Sequence, residues 1–275
     1  MPARRRVAAT AALATAALLA APAAAVAAPP PGGVTLTLMA TTDIHGHLAD
    51  WDYFQDAPYA AEDALGVARI GTAIDEVRAE RGEESVVVVD NGDALQGTPL
   101  TYLYGYGDER DAVLADEVAH PMAEAFDAIG LDAGTVGNHE YNYGLDLLAA
   151  YEGDREAPLL GANVVDATTG EPYHEPYTVI ERVIDGETVR VGVLGLVTPG
   201  VRVWDRSHVE GVLEFQDMVT AAQEWVPRVA AESDVVVVLA HTGQGTVEDA
   251  AYDPATLPED VAGNIARMVP GIDVL

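Results

Sequence analysis

Two stretches, Ser85-Val-Val-Val-Val-Asp90 and Asp234-Val-Val-Val-Val-Leu-Ala240, leave this chain little choice of architecture. A strand with one wet face alternates apolar and polar residues, whereas four consecutive valines offer water nothing on either side. Such runs read as strands buried on both faces, which need helices or a second sheet to cover them. Helical spacing supplies covers: Val67, Ile70, Ala73, Ile74 and Val77 predict a helix over 67–81. Further helices are expected over about 121–129, 145–151, 217–231 (kinked at Pro227) and 259–269. Strands are expected at 34–40, 133–136, 158–164 and 271–275, with a hairpin of 177–182 and 188–197 turning at Asp185-Gly186. Alternating β and α elements with apolar strands define an α/β fold with helix-covered sheets.

In such folds ligands gather outside the carboxyl ends of the strands. Chemistry-bearing residues fall at those ends. The first strand runs into Asp43-Ile44-His45-Gly46-His47, and Asp-x-His in extended geometry turns a carboxylate and an imidazole to one side, where a single cation takes both. The next strand opens into Asn91-Gly92-Asp93, a later one into Gly137-Asn138-His139-Glu140, and the second valine strand ends at His241. Singly, Asp43 or Asp93 reads as a cap, Asn138 as a turn former and His241 as a core histidine. Together, Asp43, His45, Asp93, Asn138 and His241 make an oxygen and imidazole donor set without thiolate, which suits zinc or manganese. An Asp93 carboxylate has two oxygens with which to bridge a pair of ions that clamps a phosphoryl displacement.

Composition narrows the partners. The sequence carries 45 acidic residues against 14 basic ones, all arginine, and a formal net charge of −31. Such a surface repels nucleic-acid polymers and anionic membranes. It admits a small phosphorylated substrate where the site brings its own cations. Residues 1–27 read as an export leader, with Arg4, Arg5 and Arg6 as basic region, Val7 to Ala20 as apolar region and Ala25-Val26-Ala27 as cleavage site. A short spacer over 28–33 then leads into a catalytic domain over 34–275, and no second hydrophobic span follows. The expected location is outside the cytoplasmic membrane, by the general or the twin-arginine route. Cysteine is absent, so no thiolate serves as nucleophile or ligand.

Thr42-Asp43-Ile44-His45-Gly46, Asn91-Gly92-Asp93, Gly137-Asn138-His139-Glu140 and Ala240-His241 resemble the metal motifs of the calcineurin-like metallophosphoesterases. The 5′-nucleotidase branch is the nearer match. Within it, Trp51-Asp52-Tyr53, Gly97-Thr98-Pro99-Leu100, Glu140-Tyr-Asn-Tyr-Gly144, Ala162-Asn163-Val164 and Val203-Trp204-Asp205 are similar to the bacterial 2′,3′-cyclic-nucleotide 2′-phosphodiesterase/3′-nucleotidase group. The resemblance covers about Val34 to Leu275. It implies an α/β/β/α sandwich holding two divalent metal ions, one on Asp43, His45 and Asp93, the other on Asp93, Asn138 and His241. His139 matches the non-ligand histidine that stabilises charge on the phosphoryl oxygens.

Many 5′-nucleotidases place an aspartate three residues after that histidine. Asn142 stands there, which implies weaker electrostatic support. In the family the Gly-Ile-Asp-Val-Leu275 pattern runs into a Gly-His-x-His motif and a nucleotide-binding domain, so the sandwich is expected to be incomplete at its C-terminus and the 275-residue chain to be a poor catalyst by itself. The implied activity is hydrolysis of nucleotide phosphate esters. Alternatives are a 5′-nucleotidase or nucleotide-sugar hydrolase on the same core, and a non-catalytic phosphate- or metal-binding exoprotein or inactive fragment. His47 is expected to be peripheral, His120 to start a helix, His174 and His208 to lie in loops, and Trp51, Tyr53 and Trp204 to be buried under loops.

Overall fold

The computed structural model describes residues 33–60, 64–245 and 252–275. The expected leader over 1–27 and all of the spacer but Gly33 lie outside the described residues. The compact unit runs from Val34 to Leu275.

Two sheets face each other. One holds β1 (Thr37–Thr41), β2 (Val86–Asp90), β3 (Ala133–Thr135) and β4 (Leu159–Leu160), parallel and in that order. The other holds β6 (Tyr177–Ile184), β7 (Glu187–Val197) and β9 (Val235–His241), with β6 antiparallel and β9 parallel to β7. A small antiparallel pair, β5 (Val164–Asp166) and β8 (Leu213–Phe215), stands apart.

The valine runs explain the layering. Alternate residues of a strand point to opposite faces, and each face of β2 meets a different apolar layer. Val87 and Val89 pack with Val191, Val193, Val237 and Leu239 between the two sheets. Val86 and Val88 face a core built with α1 (Val67–Arg81), where Ile74 is buried. That core also takes Phe126 and Leu147 from two further helices of the same layer. On the far side, Val236 and Val238 pack on Val219, Ala222, Val226 and Ile265. The order is helix, sheet, sheet, helix, the α/β/β/α arrangement expected from the sequence.

The remaining helices are α2 (Pro99–Gly105), α3 (Arg110–Leu114), α4 (Pro121–Ala128), α5 (Leu145–Gly153), the single turns α6 (Val201–Trp204) and α7 (Arg206–Val209), α8 (Met218–Ala230) and α9 (Ala262–Met268). Their ends follow sequence chemistry. His120 Nδ1 accepts from Met122 N at the start of α4, and Asp217 accepts from Thr220 N at the start of α8. The hairpin turn is Asp185-Gly186, both at positive φ (53° and 87°) as the tight two-residue connection demands.

Some expectations need correction. The strand expected over 158–164 splits, because Asn163 leaves the first sheet to bond Val197 through both its amide groups. α9 begins at Ala262 rather than 259. The strand expected from 271 is reduced to one bridge between Val274 and Val237. Among the described residues no helix is long and apolar enough to cross a membrane.

Candidate metal centre

β1 and β2 are neighbours in register from Thr37–Val86 to Thr41–Asp90, so the loops after them leave the sheet side by side. They clasp each other: Asp43 N donates to Gly92 O at 2.9 Å and His45 N to Asp93 O at 2.8 Å. Asp43, His45 and Asp93 all hold positive φ, 54°, 50° and 65°. Left-handed backbone costs a non-glycine residue about 1–2 kcal/mol. Three such residues converging in one cleft mark strain held for a purpose.

The loop after β3 arrives through Gly137. A Cβ there would lie 2.2 Å from Asp93 Oδ1, so only glycine lets the two loops close. Behind them sits a residue whose role the sequence did not disclose. Glu140 is 1% exposed, and its carboxylate accepts from four backbone N–H groups: Asp93 (2.8 Å), Ala94 (2.6 Å), Leu95 (3.2 Å) and Gly137 (2.5 Å). One carboxylate thus ties the Asp93 loop to the Asn138 turn. An acid closing the Gly137-Asn138-His139-Glu140 turn at a strand end was the available signal.

The candidate ligands meet at Asp93. Its Oδ1 accepts from His139 N at 2.8 Å, and its Oδ2 faces three imidazoles, His241 Nε2 at 3.3 Å and the Nε2 atoms of His45 and His139 at 3.9 Å. Oδ1 keeps a second lone pair beside that bond, so both oxygens of the carboxylate remain available for sharing. His45 Nδ1 donates to Gln96 O at 2.8 Å, and His241 Nδ1 to Asn91 O at 2.7 Å. Each carbonyl fixes the ring so that Nε2 points into the cleft, the usual support of a metal-binding imidazole. Asn138 Oδ1 lies 3.1 Å from His241 Nε2, and Asp43 Oδ1 lies 3.6 Å from His45 Nε2.

Among the described residues, two groups of three have ligand atoms close enough to hold an ion, His45–Asp93–His139 and Asp43–Asp93–His241, both containing Asp93. The first includes His139, which the sequence set apart as a non-ligand. The pocket over the second is lined by Thr42, Asp43, Asn91, Asn138, Thr198, His241, Thr242, Gly243 and Glu259, with no arginine or lysine. Convergent carboxylate oxygens, an amide oxygen and imidazole lone pairs fit divalent zinc or manganese.

Electrostatics agree. Burial alone disfavours a charged Asp93, but the hydrogen bond and charge of His241 win and hold its carboxyl below the usual range. Burial would likewise depress His241, yet Asp93 and the Asn91 carbonyl push it up to about 9. The centre stabilises positive charge at its heart.

His139 stands at the open edge, and its support differs from expectation. Its Nδ1 donates to Asn142 Oδ1 at 2.6 Å, and Asn142 Nδ2 donates to Asp205 Oδ1 at 2.8 Å. Burial raises the Asp205 carboxyl, with the Asn142 bond and the nearby His208 and His139 opposing it. A carboxylate does stand behind His139, with the Asn142 amide between them.

Among the other residues singled out, His47 is half-buried beside Tyr59. His174 is buried, bonded to Tyr141 Oη (3.2 Å) and Glu152 (3.1 Å), and His208 belongs to α7 rather than a loop. Trp51 and Tyr53 are half-buried, while Trp204 is 50% exposed and does not lie under a loop.

No protein-family model matches the sequence. The trifunctional nucleotide phosphoesterase protein YfkN of Bacillus subtilis is 37% identical over 236 residues, 81% of this chain and 16% of that protein. A 2′,3′-cyclic-nucleotide 2′-phosphodiesterase/3′-nucleotidase of Haemophilus influenzae is 38% identical over 240 residues, 82% of this chain and 35% of that protein. The chain thus spans well under half the length of the curated relatives it matches, from 16% to 40% among those compared. The crystal structure of the calcineurin-like phosphoesterase YfkN from Bacillus subtilis superposes with a TM-score of 0.78 at 36% identity, covering 88% of this chain and 71% of that one.

Proposed function

The chain belongs to the calcineurin-like phosphoesterase family, and from that premise we propose that it forms the catalytic unit of an exported hydrolase of nucleotide phosphate esters. The observation that carries this reading is Asp93 Oδ2, a single buried carboxylate oxygen aimed at three imidazole Nε2 atoms in a cleft at the strand ends. Asp43, His45 and Asp93 would hold one divalent ion, zinc or manganese, and Asp93, Asn138 and His241 a second. When bound, the pair supplies Lewis-acid polarisation of the phosphoryl group and activation of water.

The chain's own groups do the rest. Glu140 keeps Asp93 and Asn138 in one rigid frame, so the donors meet the substrate without reorganising. His139, whose side chain is 35% exposed, presents Nε2 to the open cleft, where, once protonated, it donates to a phosphoryl oxygen and steadies the charge that develops on the leaving group. The acidic surface leaves phosphate attraction to the centre itself, which favours small nucleotides over polymers. Export rests on the leader over 1–27, and exported protein should begin near Ala28 when its N-terminus is sequenced.

The named activity of the Haemophilus influenzae relative favours cyclic 2′,3′-nucleotides and 3′-nucleotides as substrates. Purified protein, stripped with chelator and resupplied with Mn²⁺, is assayed against cyclic 2′,3′-AMP, 3′-AMP and 5′-AMP. The expected result is slow, metal-dependent turnover of the first two. Turnover of 5′-AMP alone would reassign the chain to the 5′-nucleotidases, and no turnover of any would overturn the enzymatic reading.

A further inference from the structure

A histidine that serves a phosphoryl group needs a defined tautomer and a defined ring direction, and Asn142 by itself supplies neither. A primary amide has an accepting and a donating end and can present either to an imidazole. What decides is the group on its other side. Asp205 Oδ1 accepts from Asn142 Nδ2 at 2.8 Å. A carboxylate accepts and does not donate. The NH₂ end is therefore committed to Asp205, Oδ1 must face His139, and the imidazole nitrogen meeting it at 2.6 Å must carry the hydrogen.

We propose that Asp205 is a positioning residue for His139, acting through the Asn142 amide to fix the Nδ1–H tautomer and so to aim Nε2 at the phosphoryl site. The inference rests on the role given to His139 above, but the tautomer is measurable whether or not that role is right.

Three features single Asp205 out from an incidental surface contact. It is 6% exposed, and its Oδ2 has no hydrogen-bond partner among the described residues, an arrangement that costs stability and gains nothing for the fold. It sits at the junction of α6 and α7, whose Val201 and Val209 are 0% and 1% exposed in the core, and its carbonyl accepts from His208 N at 2.8 Å. The junction is thus a fixed platform rather than a mobile loop. The residue between them is held at its main chain, since Tyr106 Oη donates to the Asn142 backbone carbonyl oxygen at 2.6 Å.

The test uses the full chain labelled with ¹⁵N at histidine, comparing wild type, Asp205→Leu and Asp205→Asn by long-range ¹H–¹⁵N correlation spectra. Wild type should show His139 as the Nδ1–H tautomer. Asp205→Leu removes the acceptor and should move His139 toward the Nε2–H form. Asp205→Asn offers Asn142 an amide that can present either end, so it should hold the Nδ1–H form less fully than wild type and more fully than Asp205→Leu, a graded response that loss of side-chain packing alone would not produce. In the nucleotide assay Asp205→Leu should lower kcat about 10-fold to 100-fold, the range for groups that orient a catalytic histidine, with KM changed less than about twofold. The same change made in His139→Ala should lower kcat no further.

An unchanged tautomer in a folded Asp205→Leu protein overturns the proposal, as does a full loss of kcat on top of His139→Ala. Should Asp205→Leu fail to fold, Asn142→Leu and Asp205→Asn carry the same comparison: Asn142→Leu must release the tautomer and Asp205→Asn must weaken it, and an unchanged tautomer in both overturns the proposal. A tautomer that shifts as expected in a protein without nucleotide turnover would uphold the positioning and refute the catalytic reading.

Discussion

Replacing Glu140 by Gln changes one atom and no volume, yet it should be among the most damaging substitutions in the chain. Oε1 accepts from Ala94 N and Leu95 N, and Oε2 from Asp93 N and Gly137 N. A glutamine keeps one oxygen and turns an NH₂ toward the other pair of donors. Two buried N–H groups lose their acceptor, at about 1–3 kcal/mol each, so the variant should be about 4 kcal/mol less stable. That is a large part of the ~5–15 kcal/mol that holds a domain together. With a slope of about 2–3 kcal/mol per molar urea, the unfolding midpoint should fall by about 1.5 M. Glu224→Gln, which breaks only the exposed pair with Arg228 at 2.7 Å, is the control and should cost under about 0.5 kcal/mol. The measurement is urea unfolding followed by circular dichroism. A midpoint shift for Glu140→Gln no larger than that of the control would refute the claim that this carboxylate frames the centre.

Other outcomes follow from the same geometry. His139→Ala should lower kcat about 10²-fold to 10⁴-fold, the scale of a general acid or charge stabiliser. Metal content should hold, because the bond to Asp93 Oδ1 comes from the backbone N–H, which alanine retains; elemental analysis showing an emptied site would contradict this. Burial lowers His120 from 6.5 to about 4. The ring stays neutral in the fold while the unfolded chain takes a proton below pH 6.5, so its contribution is intact above pH 6.5 and is lost as pH falls toward 4. At ~1.36 kcal/mol per unit this amounts to about 3 kcal/mol. His120→Asn keeps an acceptor for Met122 N, does not titrate, and should flatten the decline of unfolding free energy across that window; an unaltered slope would refute it.

Periodicity made much of this fold legible. The valine runs announced the two-sided strands, and Asp43, His45, Asp93, Asn138 and His241 could be placed at strand ends because strand ends are local events. What stayed hidden was whatever depends on two distant segments meeting. Glu140 reads as the last letter of a motif until four backbone amides close around it. Asn142 reads as a weaker aspartate until Asp205, 63 positions away in sequence, takes its amide. The split at Asn163 has the same cause, since Val197 that draws it out of line belongs to the other sheet. Single-turn helices such as α6 and α7 are too short to leave a periodic trace.

The central claim is that two ions share Asp93, and isothermal titration of chelator-stripped protein with Mn²⁺ tests it most directly. Wild type should bind two ions per chain, His45→Ala and His241→Ala should each lose one, and Asp93→Asn should lose both. Asp93→Asn retaining two ions, or wild type binding a single ion indifferent to Asp93, would contradict the account.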